Sequence, residues 1–227
     1  NFNYYLKFLK KNKFFYKQVN LKEFSNLVSG QILSNEKNLN YFLFKKKILR
    51  LIKKAKIKIY YNQEFKSKNL KNYYKVIVCT YSQNNNILKK IGIKKLKKFK
   101  YELVEKIIIK LPVFFRNKSF MVLDGKFVSL DPYLGTNYHL LSDVKYSKLK
   151  IKKSLFPNFN NNYKKFIGKN AIKNLKQSNF KKFIKNSSKY LPFLTQAKYI
   201  KSFYVVRTIM PNKEKTDERL NSIRQHN

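Results

Sequence analysis

Cys79 is the only cysteine in this chain of 227 residues. An internal disulfide, a CxxC motif and a zinc knuckle are thereby excluded, and a reducing compartment is the expectation. Tryptophan is absent, and glycine and proline number five each. The glycines, Gly30, Gly92, Gly125, Gly135 and Gly168, stand too far apart for a GxGxxG turn or a P-loop. The chain therefore lacks both common devices for cradling a nucleotide's phosphates. Neither His139 nor His226 has a neighbouring carboxylate or cysteine at metal-ligand spacing, so a metal site is unsupported. There is no G-x-S-x-G elbow and no evident Cys-His pair. No run approaches the roughly 18 apolar residues of a membrane helix. Lysines interrupt the aromatic N-terminal stretch, so it lacks the apolar core of a signal peptide. The expectation is a cytoplasmic protein without a membrane span.

Acidic residues are scarce too: 11 against 52 basic ones, for a formal net charge of +41. Such an excess suggests a polyanion partner. Only Arg50, Arg116, Arg207, Arg219 and Arg224 are arginines, however, and bidentate phosphate contacts favour arginine over lysine. Lysine is abundant together with Asn, Ile, Phe and Tyr, residues specified by A- and T-rich codons. A biased genome therefore accounts for the charge, and weak, sequence-indifferent binding of nucleic acid is expected.

What is present is organised around Phe120–Tyr146, FMVLDGKFVSLDPYLGTNYHLLSDVKY. Two apolar runs flank Asp124-Gly125, a dipeptide suited to a tight hairpin that needs positive φ. Asp131-Pro132-Tyr133-Leu134-Gly135 reads as a second turn, and Tyr138 to Val144 as a third strand. The pattern predicts a three-stranded antiparallel meander. Upstream, Asn1 to Gln18 suits an amphipathic helix, Gly30 to Leu33 a short strand, and Asn38 to Lys54 a longer helix. Lys56 to Tyr61 alternates like a half-buried strand, and Tyr74 to Thr80 (YKVIVCT) reads as a strand covered on both faces. Tyr101 to Leu111 is a β-branched strand candidate. Its Glu102 and Glu105 should face opposite sides, which argues against acid-base work by that pair. Tyr163 to Tyr190 suits one or two helices stopped by Pro192. Ala197 to Met210 is the last long strand, and Pro211 to Asp217 a turn. The predicted fold is α/β (α+β), with a large antiparallel sheet and helices on one face.

Three segments resemble the FAD-dependent oxidoreductases of the D-amino-acid oxidase and glycine oxidase family. They are YKVIVCTYSQNN, YELVEKIIIKLP with VLDGKFVSLDPYLGTNYHLLSDV, and LPFLTQAKYIKSFYVVRTIMPNKEKTDER. The resemblance covers roughly Gly30 to Arg219. It implies one region over 1–227 that holds the substrate domain and part of the FAD-domain scaffold. The family's N-terminal strand-GxGxxG-helix and its final Gly-rich closing segment are missing from this sequence, so a fragment or split gene product is expected, and FAD is not expected to be held by this chain alone. The implied activity is oxidation of a C–N bond in an amino acid or amine. Arg207 is implied to grip a substrate carboxylate, with Tyr133 and His139 near the same pocket. Phe65, Thr80 and Tyr81 are implied to lie beside the FAD nucleotide, although Tyr81 stands where many members have glycine. The competing expectation for Arg207 is an ion pair with Asp124, Asp131 or Asp143. The competing class is a lysine-rich ribosomal or other RNA-binding protein from an AT-rich genome.

Overall fold

A computed structural model describes residues 2–123 and 127–211. The protein is a mixed α+β structure with a six-stranded antiparallel sheet and several helices. In chain order the helices are α1 (Phe2–Lys11), α2 (Tyr41–Lys54), α3 (Asn84–Lys90), α4 (Asn161–Lys164) and α5 (Phe180–Ser187). The strands are β1 (Tyr16–Gln18), β2 (Ile32–Ser34), β3 (Phe99–Lys110), β4 (Phe120–Val122), β5 (Val128–Tyr133), β6 (Tyr138–Asp143), β7 (Lys148–Ser154) and β8 (Lys198–Ile209). The large sheet has the order β4-β5-β6-β3-β7, with β8 also paired to β3, while β1 and β2 form a small antiparallel pair. The chain divides into two compact units, Asn1–Ala55 with Glu105–Ser147 and Ala171–Phe203, and Lys56–Val104 with Lys148–Asn170 and Tyr204–Asn227.

The first unit contains the expected meander. Phe120 to Val122 pairs with Leu130 to Val128, and Val128 to Tyr133 pairs with Asp143 to Tyr138. Ile107, Ile108 and Ile109 then pair with Leu141, Leu140 and His139. The isoleucines are fully buried, and β-branched side chains suit a pleated strand packed on both faces. Their core continues through Phe115, Phe120, Val128, Leu130 and Leu141 to Phe183 of α5 and to Leu191, Phe193 and Leu194 beyond it. The rings of Phe115 and Phe193 stack with centroids 4.1 Å apart.

The second turn of the meander falls later than expected. Asp131, Pro132 and Tyr133 belong to β5, and the turn occupies residues 134–137, with Gly135 at φ +88°. Proline is tolerated in β5 because β4 pairs only as far as Leu130, so the missing N–H at Pro132 costs no bond on that side. The Thr136 hydroxyl closes the turn, donating to the Tyr133 carbonyl (2.7 Å) and accepting from the Tyr138 N–H (3.1 Å). The Asp124-Gly125 hairpin and most of the turn expected over Pro211 to Asp217 lie outside the described residues. Helix α2 is capped by the Asn40 side chain, which accepts from the Leu43 N–H (3.1 Å), yet it buries none of its residues.

In the second unit two expectations fail. Neither Lys56 to Tyr61 nor Tyr74 to Thr80 forms a strand. An apolar β-branched run needs a neighbouring strand to satisfy its backbone groups, and none of the described strands pairs with these segments. Ile77 is 85% exposed and Tyr74 96%. Strand β7 was not expected at all. Its sequence KLKIKKS alternates Lys with Leu and Ile only over its first four residues, and the lysines hide that alternation. It pairs antiparallel with β3 from Phe99↔Ser154 to Val104↔Lys148, with a register shift between Leu103 and Val104. Lys150, Ile151, Lys152 and Lys153 are exposed along it.

Candidate functional site

Glu102 anchors an ionic cluster among the described residues of the second unit. Alternation along β3 puts Lys100 and Glu102 on one face of the strand. The Glu102 side chain is fully buried, and Arg207 donates to its Oε2 through Nε (3.0 Å) and Nη2 (2.6 Å). The ammonium groups of Lys100 and Lys148 lie 3.4 and 3.7 Å from Oε1. Three cations thus converge on one carboxylate among the described residues. The Arg207 and Lys148 side chains remain 29% and 28% exposed, so the cluster faces solvent in part.

This corrects the ion-pair partner expected for Arg207, which is Glu102 and neither Asp131 nor Asp143. Asp124 lies outside the described residues. Asp143 is instead buried in the first unit, where it accepts from the Tyr146 N–H (2.9 Å) and the Asn186 side chain (2.6 Å). Asp131 accepts from the Ser119 hydroxyl (2.5 Å).

Tyr81 is held against the backbone of Thr208, the residue after Arg207. Its hydroxyl accepts from the Thr208 N–H (3.1 Å) and donates to the Thr208 carbonyl (3.4 Å). Tyr81 holds this position at φ +51°, a left-handed conformation that costs a bulky residue energy. Thr80 donates from both its N–H and its hydroxyl to the Asn84 Oδ1, each at 2.9 Å, which holds the entry to α3. Phe65 is half-buried ahead of a 3-10 turn over Ser67–Asn72. Nearby, Lys90 pairs with Glu64, whose carboxyl this bond holds below its usual range.

In the first unit, Tyr133 and His139 share a hairpin but not a face. Tyr133 opposes Tyr138, whereas His139 opposes Pro132, one register position away. Tyr133 packs against the rings of Phe42 (5.5 Å) and Phe203 (6.1 Å). His139 is 1% exposed, and its Nε2 meets the Phe115 carbonyl at 2.9 Å, so that nitrogen carries the proton. Burial lowers the pKa of His139 below its ordinary 6.5, against opposing pulls from the carbonyls of Phe115 and Lys118 and from Asp131.

The consequence is an acid-labile contribution to folding. Below pH 6.5 the unfolded chain takes up a proton that folded His139 resists, so stability present above that value is lost as pH falls. Denaturant midpoints measured at about pH 7 and pH 5 should drop less in His139→Gln than in the parent. Equal drops would remove His139 as a source of acid lability.

Glu105 occupies a different environment from Glu102, as their spacing on β3 predicts. It is fully buried, and its Oε1 accepts from the hydroxyls of Ser178 (2.5 Å) and Ser202 (2.6 Å). Its Oε2 accepts from the Asn179 N–H (2.9 Å), placing the carboxylate at the N-terminal end of α5. Among the described residues its side-chain partners are two hydroxyls and a backbone N–H, an arrangement that suits a structural anchor.

A further group of residues escaped the sequence reading. Arg116, Asn117, Pro132, Leu134, Gly135, Thr136 and Asn137 line an open cavity of about 430 Å³. The signal for Arg116 was its rarity among so many lysines. For Glu102 it was an acid placed inside an apolar strand of a strongly basic chain. Among the described residues, no three His, Cys, Asp or Glu side chains converge as a metal site, and no helix is long and apolar enough to cross a membrane. No family model matches the chain, and neither a curated protein nor a solved structure matches it.

Proposed function

We propose that this chain supplies the substrate-domain portion of an FAD-dependent oxidoreductase acting on the C–N bond of an amino acid or amine, with the FAD-binding segment contributed from elsewhere. The observation that carries this reading is Tyr74–Thr80, an apolar, β-branched run that lies exposed and outside every ladder of the described residues. It has the composition of a buried strand without a sheet to join. The resemblance implies a strand over Val76 to Thr80 that ends beside the flavin nucleotide. The antiparallel sheet of β3 to β8 agrees in kind with the substrate domain that the resemblance implies. The residues present do not themselves fit FAD: the five scattered glycines form no pyrophosphate cradle, so no catalytic step is assigned to them. Arg207 is carried as the candidate towards the substrate carboxylate, and Phe65, Thr80 and Tyr81 towards the nucleotide; Tyr133 and the buried His139 lie on opposite faces of their hairpin and do not share a pocket.

Cys79 sits inside the exposed run and is itself exposed, so it reports on this reading directly. The isolated chain mixed with FAD should stay colourless, and a maleimide should label Cys79 quickly. Addition of a strand-GxGxxG-helix polypeptide from the same genome should give a flavin absorption band and slow labelling at least tenfold. A yellow protein formed by the isolated chain, or a flavin complex with Cys79 labelled as fast as before, would overturn the proposal.

One observation favours RNA binding as the second reading. Tyr60, Tyr61, Tyr73 and Tyr74 are exposed among Lys56, Lys58, Lys71 and Lys75, a combination suited to stacking on single-stranded bases. Binding of a particular RNA that survives physiological salt favours this reading over the oxidoreductase.

A further inference from the structure

We propose that the cavity beside Arg116 is a binding site for a small oxyanion, a carboxylate or a phosphate, independent of the flavin reading. Its walls come from two loops of the first unit. One is the turn after β3, where residues Val113–Phe115 form a single 3-10 turn that leads into Arg116 and Asn117. The other is the hairpin of residues 134–137 between β5 and β6.

Four features point to an oxyanion. Arg116 brings a planar fork that matches two oxygens at once. Among the described residues its side chain has no acidic partner and no hydrogen bond, in contrast to Arg207, which is committed to Glu102. Asn117 and Asn137 add amide groups that donate to oxygen without adding charge. Among the described residues no carboxylate lines the cavity, and Asp131, next to Pro132 in the chain, is already bonded to Ser119.

The loops are held in place rather than loosely apposed. The buried His139 side chain on β6 bonds the carbonyl of Phe115, the residue before Arg116. Phe115 itself is stacked on Phe193 in the core. On the other wall, Thr136 closes the hairpin through two hydrogen bonds, and Gly135 turns at φ +88°. A Cβ at Gly135 would lie 3.0 Å from the Phe42 ring, so the hairpin backbone packs closely against α2. A cavity of about 430 Å³ is ample for an acetate-sized or phosphate-sized anion.

The test is calorimetric titration of the full chain with sodium acetate and, separately, inorganic phosphate, at constant ionic strength set with chloride. Diffuse attraction to a strongly basic surface gives unsaturable heats that are indifferent to any single arginine. The site predicts saturation at one equivalent, at least tenfold weaker in Arg116→Gln and unchanged in Arg50→Gln. Saturation by acetate alone identifies a carboxylate site, and saturation by phosphate alone a phosphate site. Arg116 is exposed, so its substitution should leave the denaturation midpoint in place and keep the comparison valid. Equal binding in the parent and Arg116→Gln, or no saturation with either anion, would overturn the proposal.

Discussion

Replacing Glu105 by leucine is expected to cost about 3–5 kcal/mol, enough to unfold much of the first unit at room temperature. The carboxylate receives the hydroxyls of Ser178 and Ser202 and the Asn179 N–H in a site closed to water. Leucine fills the space but accepts nothing, and each orphaned buried donor costs about 1–3 kcal/mol, less where a hydroxyl can turn elsewhere. Glutamine should cost only about 1–2 kcal/mol. Its oxygen can face the Asn179 N–H, which cannot rotate, while its amide faces the two serine hydroxyls, which can turn to accept. Combining Glu105→Leu with Ser178→Ala and Ser202→Ala should recover part of the loss, because removing both partners removes the unmet demand. Urea denaturation followed by circular dichroism measures all three variants. A leucine variant no less stable than the glutamine variant would show that the carboxylate does not anchor α5.

The second large effect concerns Glu102 and Arg207. A double-mutant cycle through Glu102→Gln and Arg207→Gln should give a coupling of about 1.5–3 kcal/mol, the range for hydrogen bonds to charged groups. Two circumstances hold it below the value of a sealed pair. The Arg207 side chain is 29% exposed, and Lys100 and Lys148 share the same carboxylate. Arg207→Lys should lose most of the coupling, since an ammonium cannot reproduce donation from Nε and Nη2 to one oxygen. With Glu102 as partner, that substitution carries a folding cost whatever part Arg207 plays towards a substrate. A coupling below about 0.5 kcal/mol would reduce the cluster to an ordinary surface pair.

The contrast between β3 and Tyr74–Thr80 shows how much was legible. Both are apolar and rich in β-branched residues, and both were read as strands. Only β3 became one, because β6 and β7 are there to meet its backbone groups. Local composition reports a preference for the extended state, whereas the ladder is a property of what stands alongside. The meander was legible because alternation and turn residues agreed with each other over Phe120 to Val144. The position of its second turn was not, because Pro132 looks like a turn residue until the length of β4 is known.

The same limit governs the site residues. Arg207 was conspicuous as an arginine in an apolar strand, but its partner sits 105 residues earlier in the chain. Glu102 carries no local sign of its partners, since its spacing to Glu105 speaks only to which faces the two acids take. Glu102 gathers cations, whereas the buried Glu105 and Asp143 are met by hydroxyl, amide and backbone donors, a division that composition does not announce. Tyr81 was selected as a cofactor neighbour by resemblance, and its contact with the Thr208 backbone follows from a positive φ that no local pattern announces.

Strand β7 has a further consequence for how copies of this protein meet. Among the described residues it pairs only with β3, so its other side is an open row of peptide groups, the surface on which fibrils are templated. Four of its seven residues are lysines, and a second copy docking there would stack like charges within a few ångströms. That guard is electrostatic and not covalent or steric. Its strength therefore varies with ionic strength, falling as salt screens the lysines.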